Sequence, residues 1–188
     1  MTRNVLRPAL RVVITLALLA SAAALWSLIP TKLQTWAPIV VKGAVGQRVT
    51  GRNLAVTVER TLLAREVAFV NSGQTAHIPS KGVWLIVVLS YEPFRQPETP
   101  AFELRAGGRR FVSNLSGMRN VQPGLPARGP VAFDIPEIPS AATLLVSNKV
   151  SDRYGYRLTA PLDSQIEVPL ALPSGTPEAT VNLNQLGD

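Results

Sequence analysis

Apolar residues run together near the start of the chain and alternate with polar ones over much of the rest. Residues 12–29 carry no charge, and only Thr15, Ser21 and Ser27 add polar groups to them. A helix of that length would span ~27 Å at ~1.5 Å per residue, close to the ~30 Å hydrocarbon core of a bilayer. Arg3, Arg7 and Arg11 precede the run, and Trp26 and Trp36 stand at or beyond its far end. Basic residues stay on the cytoplasmic side and Trp favours the headgroup interface. The expected layout is therefore a basic cytoplasmic N-terminus (1–11), one transmembrane helix (12–29) crossing the plasma membrane, and an extracytoplasmic remainder. The alternative is a cleaved signal peptide and a secreted protein, with Ala20-Ser21-Ala22 or Ala22-Ala23-Ala24 as the small-residue cleavage site. Leu25, Trp26, Leu28 and Ile29 carry the apolar run past both sites, which favours the anchor.

Residues 30–38 look like a tether, able to reach at most ~30 Å when fully extended. After them come short runs of strand character. Ile39, Val40 and Val41 open as a first strand. Leu54, Val56 and Val58 alternate with Ala55, Thr57 and Glu59, the pattern of a half-buried strand. Residues 83–89, VWLIVVL, are apolar on both parities, which predicts a central strand covered on both faces. The run is too short for a second membrane span. Phe102 and Leu104 alternate with Glu103 and Arg105, and Gly107-Gly108 then turns the chain back as a hairpin. Val131, Phe133 and Ile135 form another alternating run, Thr143 to Val146 a further strand, and Ile166, Val168 and Leu170 the last, which Pro169 pushes to an edge. Pro123-Gly124 supplies a tight turn, and Pro136 and Pro139 end the strand before them. The body at 39–172 thus reads as roughly seven or eight strands with no amphipathic helix, an all-β antiparallel sandwich. Residues 173–188 have few bulky apolar side chains and no clear period, and are expected to form a flexible tail, with a short terminal strand as the alternative.

Composition narrows the chemistry. The chain has 188 residues, no cysteine and one histidine, His77. Disulfides, thiolate metal sites, a cysteine nucleophile and an N-terminal lipidated cysteine are excluded, as is a site built from several histidines. The net charge is +7. Arg3, Arg7, Arg11 and Lys32 supply more than half of it, so the β-rich body lacks the clustered basic face of a nucleic-acid protein, and no nucleic acid is expected as a partner.

Few residues point to a site. His77 lies in a polar stretch over 71–81 and reads as a solvated loop histidine, with no Gly-x-Ser-x-Gly elbow to serve it. The acidic residues are scattered and form no cation-binding loop. Catalytic, metal and cofactor residues are therefore not expected. Arg105, Arg109 and Arg110 bracket the Gly107-Gly108 turn, where three guanidiniums could clamp phosphate or carboxylate groups. The competing reading is an exposed, solubilising hairpin end. Residues 152–157, DRYGYR, place Tyr154 and Tyr156 between arginines, a composition common in contact surfaces, against the alternative of a tyrosine tucked under a sandwich corner. Asn114-Leu115-Ser116 is a formal glycosylation sequon, of consequence only in a eukaryotic secretory pathway.

The strand pattern resembles a family. Gly51-x-x-Leu54-x-Val56-x-Val58 is followed by residues 82–88, GVWLIVV, then Phe102-x-Leu104 with its Gly-Gly hairpin, then Pro123-Gly124, Gly129 and Val131-x-Phe133-Asp134-Ile135-Pro136. This is similar to the extracellular telokin-like, immunoglobulin-like domain found on bacterial surface proteins and lipoproteins, over residues 45–172. The absence of a lipidation cysteine departs from many members. The resemblance implies a fold and a location, and no activity. The expected role is a non-catalytic interaction or scaffold module of the bacterial cell envelope, held at the membrane beside an envelope protein partner. The alternative is a binding module for an anionic glycan or lipid, using Arg105, Arg109, Arg110, Tyr154 and Tyr156. A hydrolase is the third reading.

Overall fold

A computed structural model describes residues 6–27, 37–71, 73–113, 115–118, 120–151, 157–159 and 163–187. The chain divides into two units, Met1–Ala37 and Pro38–Asp188. The first holds helix α1 (Leu6–Ser27), 22 residues long. It starts earlier than the apolar run, because leucine and alanine favour helix and Pro8 falls in the first turn, where its missing N–H costs nothing. Thr15 and Ser21 donate their hydroxyls to the carbonyls of Arg11 and Ala17, at 2.9 and 2.8 Å, so the polar groups inside the apolar stretch are satisfied by the helix itself. All side chains over 10–26 are exposed. Among the described residues, no helix is long and apolar enough to cross a membrane. The uncharged part of α1, 12–27, measures ~24 Å at ~1.5 Å per residue. Leu28 and Ile29, which complete the expected span, lie outside the described residues, as does most of the tether.

The second unit is a two-sheet β-sandwich. Its strands are β1 (Ile39–Lys42), β2 (Arg48–Thr50), β3 (Leu54–Asn71), β4 (Gln74–Pro93), β5 (Pro100–Ala106), β6 (Arg109–Val112), β7 (Leu115–Ser116), β8 (Ala127–Ile135), β9 (Ala142–Ser151), β10 (Arg157–Thr159), β11 (Ser164–Leu170) and β12 (Glu178–Asn182). The first sheet runs β1-β11-β9-β5-β6, with β10 on β9. The second runs β12-β3-β4-β8-β7, with β2 on β3. The pairings are antiparallel except β1 with β11 and β12 with β3. This departs from a purely antiparallel sandwich. Both exceptions are edge strands, and β12 reaches its place by a crossover from the first sheet, the kind of connection a parallel pair requires.

The main core fills the space between the sheets. Phe102, Leu104, Leu144, Val146, Ile166 and Val168 meet Leu54, Val56, Leu85, Val87, Val131 and Phe133. The double apolar parity of β4 has its cause here. Leu85, Val87 and Leu89 face this core, while Trp84 and Ile86 face outward into a second, smaller core. That core is closed by Ala64, Val67, Val181 and Leu183, with Phe69, Ile78 and Leu186 packed against it.

The cover over Trp84 comes from the long β3–β4 hairpin. Its register shifts between Val58 and Arg60 and again between Ala64 and Glu66, where the partner jumps from Trp84 to Pro79. Bulges bend a strand and increase its twist. Here they carry the distal part of the hairpin over the outer face, and the Trp84 indole N–H donates to the Ile78 carbonyl at 3.0 Å. Gly82 sits at the break, where a Cβ would lie 2.2 Å from the Ile135 carbonyl oxygen and 2.5 Å from that of Pro136. Only glycine allows so close an approach.

Three local expectations change. His77 is on β4, opposite Ala68, and not in a polar loop. Residues 178–186 follow the alternative of a short terminal strand and not the flexible tail: they form β12 and a 3-10 helix, Leu183–Leu186, with Val181 and Leu183 buried. The physical reason is that the outer face of the second sheet is apolar and must be covered. β11 is not the edge strand that Pro169 led one to expect: it lies between β1 and β9, and β1 pairs only with its residues 164–167, short of Pro169. By alternation its nitrogen faces the side beyond the end of β1, where no ladder donor is lost.

Candidate functional site

The hairpin arginines are built on a turn in which Gly107 and Gly108 both have positive φ, 54° and 73°, as a two-residue hairpin of this hand requires. Arg105 is opposite Arg110, and Ala106 is opposite Arg109. Ala106 belongs to the core face, so Arg109 occupies a core-side register position at the exposed turn, whereas Arg105 and Arg110 share the outer face. The three guanidiniums do not converge. Arg105 lies 3.6 Å from Glu167, and Arg110 lies 3.5 Å from Glu103. Glu103 and Glu167 flank Leu145 in register, and Leu145 is buried on this outer face. Two of the arginines thus belong to a charged lattice roofing an apolar side chain, a solvent-facing role worth little energy. Among the described residues no carboxylate pairs with Arg109.

Tyr154 and Tyr156 lie outside the described residues. The ends of the strands that carry them are described. Residues 149–151 at the end of β9 pair with β10. The arginine hairpin joins β9 at its opposite end, through Ala106 and Ala142. Those two ends of β9 are ~30 Å apart at ~3.3 Å per residue.

A buried polar network, which no local spacing signals, fixes the stems of that tyrosine-bearing segment. Asn148 lies in β9 and Asp163 just before β11. Tyr91, fully buried, donates its hydroxyl to Asn148 Oδ1 at 2.6 Å. Asn148 Nδ2 donates to Asp163 Oδ2 at 3.1 Å. Asn53 Nδ2 and the backbone N–H of Ser164 donate to Asp163 Oδ1, at 3.0 and 2.7 Å. Burial, joined by the charges of Glu98 and Asp163, holds the Tyr91 phenol above its ordinary range. A carboxylate exposed by only 5% is thereby stabilised by oriented amides. Asn53 Oδ1, on the far side of the same amide, is buried without a partner, so the network is satisfied around Asp163 and incomplete at Asn53.

A groove of about 710 Å³ lies along the second sheet. Its apolar lining includes Phe69, Leu115, Met118, Val121, Leu125 and Leu183, and Arg128 and Asn184 contribute polar groups. Leu125 is 64% exposed at its rim. The turn at this rim is the expected one: Gly124 has φ 73°, and the Leu125 N–H reaches the Gln122 carbonyl at 3.2 Å. Arg128 is already engaged, since its Nε and Nη2 each lie 2.8 Å from the Glu59 carboxylate. That bond holds the Glu59 carboxyl below the usual range.

His77 Nδ1 sits 2.7 Å from Glu66 Oε1, and the Thr180 hydroxyl donates to the same oxygen at 3.2 Å. The His77 contact lowers the Glu66 pKa. Ser80 donates to Asp134 instead. Among the described residues no serine hydroxyl bonds to His77, and no group of three or more histidine or acidic side chains could hold a metal ion.

No family model and no curated protein matches the chain. A solved structure that it is similar to is an uncharacterized β-sandwich protein from Clostridium difficile 630. The two share 12% identity at a TM-score of 0.39, over 76% of this chain and 99% of that one.

Proposed function

We propose that the chain is a membrane-anchored, extracytoplasmic module of the bacterial cell envelope that binds a protein partner without catalysis. Its β-sandwich is read as immunoglobulin-like and related to the telokin-like domains. The observation that carries the reading is α1. Beyond Arg11 its side chains over 12–26 are apolar on every side but for Thr15 and Ser21, and all of them are exposed, Leu18 by 65% and Trp26 by 78%. A helix that is hydrophobic all round is stable only inside a protein core or in lipid. Left in water, each Leu or Val forgoes about 1.5–3 kcal/mol of burial. Leu28 and Ile29 continue the apolar run in the sequence, bringing 12–29 to ~27 Å. Anchoring confines the sandwich to a thin layer and raises its effective concentration toward membrane partners, so weak contacts suffice. The reading as an anionic glycan or lipid module draws less support, because Arg105 and Arg110 lie beside the carboxylates of Glu167 and Glu103 while Arg109 occupies a core-side register position.

The test is alkaline extraction of membranes together with protease treatment of intact cells carrying a tag after Asp188. The expected result is a tag that is cleaved from outside and a chain that stays with the membrane. A shielded tag, or release of the chain into the soluble fraction, would overturn the reading. Crosslinking in the native membrane then identifies the partner.

A further inference from the structure

The C-terminal segment 178–187 sits on the fold as a separate piece. It follows residues 171–177, which have no regular structure and include Pro173, Gly175 and Pro177. It adds β12 to the free edge of β3 in parallel register, Thr180 opposite Glu66 and Val181 opposite Val67. The 3-10 helix that follows then lies on the second sheet. Beside the backbone ladder of β12 with β3, Thr180 Oγ1 donates to Glu66 at 3.2 Å, the Val70 N–H to Asn184 Oδ1 at 2.7 Å, and Arg128 Nη1 to the Leu186 carbonyl at 3.4 Å. Its side chains add an apolar grip, through Val181, Leu183 and Leu186 against Ala64, Val67, Trp84, Ile86 and Ala132.

That seat is made almost wholly by other parts of the chain. Trp84, Ile86 and Ala132 belong to the central strands β4 and β8, and Val67 and Ala64 to β3. It is a strand edge beside an apolar trough, the geometry by which sheets bind extended peptides. The groove lined by Leu115, Met118 and Leu125 continues from it past Leu183.

We propose that segment 178–187 is an exchangeable strap, and that its seat is a docking site for the same segment of a second copy of this chain. The occupant is chosen by what already fills the site: an exchanged strap makes every contact that the resident one makes. Only the path of the connector differs. Seven extended residues, 171–177, reach ~24 Å, enough to lead away from one molecule toward another. Exchange of an identical element is a low-cost route to dimers for that reason. The proposal does not depend on the membrane reading.

The absence of cysteine gives a clean test in the full chain in detergent. Glu66 and Thr180 are register partners whose side chains meet, so cysteines at the two positions face each other across the β12–β3 pair. The double variant Glu66→Cys/Thr180→Cys should close within one chain, which verifies seat and fold together. Mixing the two single variants should give a disulfide-linked dimer at about ten times the yield of Thr180→Cys mixed with Glu103→Cys, whose cysteine lies on the other sheet. Equal yields in the two mixtures, with the double variant closing normally, would overturn the proposal. So would a double variant that folds but does not close, since the strap would not then be seated on β3.

Discussion

Tyr91→Phe removes one oxygen from a ring with no exposed surface. Its hydroxyl donates to Asn148 Oδ1 at 2.6 Å, and among the described residues no second donor reaches that oxygen. The variant loses a hydrogen bond and leaves a buried acceptor unpaired, at a cost of ~1–3 kcal/mol. For a domain of this size the urea midpoint should fall by ~1 M, given a slope of ~1–3 kcal/mol per molar. A second signature separates this network from ordinary packing. Burial raises the phenol above its ordinary value of 10.0, so the folded chain retains the proton when the unfolded chain has lost it. The stabilisation by the neutral phenol is therefore complete below pH ~10 and declines as pH rises toward the folded value, by up to ~1.4 kcal/mol per pH unit. Urea midpoints of wild type and variant, followed by far-ultraviolet circular dichroism from pH 7 to 11, should differ by a constant amount up to about pH 10 and converge above it. A loss under ~0.5 kcal/mol at neutral pH, or curves that stay parallel through pH 11, would refute the assignment of Tyr91 as a buried, bonded donor.

Gly82→Ala places a methyl against the Ile135 and Pro136 carbonyls and should destabilise the sandwich by ~1–3 kcal/mol, read as a lower thermal midpoint. Arg109→Glu with Arg110→Glu should leave the thermal midpoint almost unchanged, within ~0.5 kcal/mol, because both side chains are exposed; a clear drop would show that the hairpin arginines are structural. Glu59→Gln should cost under ~1 kcal/mol at neutral pH, since solvent screens its pair with Arg128. Because Arg128 lowers the Glu59 pKa from 4.5, that difference should be present above pH ~4.5 and vanish on acidification, as denaturant titrations at pH 3 and 7 would read.

What the sequence made legible was local. The Gly-Gly hairpin, the Pro123-Gly124 turn and the end of β8 before Pro136 follow from backbone rules acting over two or three residues. The doubly apolar run in β4 also read correctly, because burial on both faces leaves no polar parity. The long hairpin did not read, and the reason is geometric. In β3 the core-facing residues are Leu54, Val56 and Val58, all even, but beyond the bulge at Glu59 the core contact passes to Leu63. A bulge inserts one residue and reverses which parity faces the core, so an alternation count finds a break where the strand continues.

The same limit applies to the functional surface. Tyr91, Asn148, Asp163 and Asn53 meet across separations of 57, 15 and 110 residues, so no motif could announce them. Arginines adjacent in sequence drew attention as a cluster, yet neighbouring residues on a strand point to opposite faces, and a turn that gathers three guanidiniums in sequence divides them in space. Residues 178–187 show the reverse case. Val181, Leu183 and Leu186 are too few to nucleate structure alone, and their order comes from an apolar face made elsewhere. A segment whose structure is supplied by its seat is also the one that an identical segment can replace, which ties the failure of the sequence reading at this end of the chain to the exchange proposed for it.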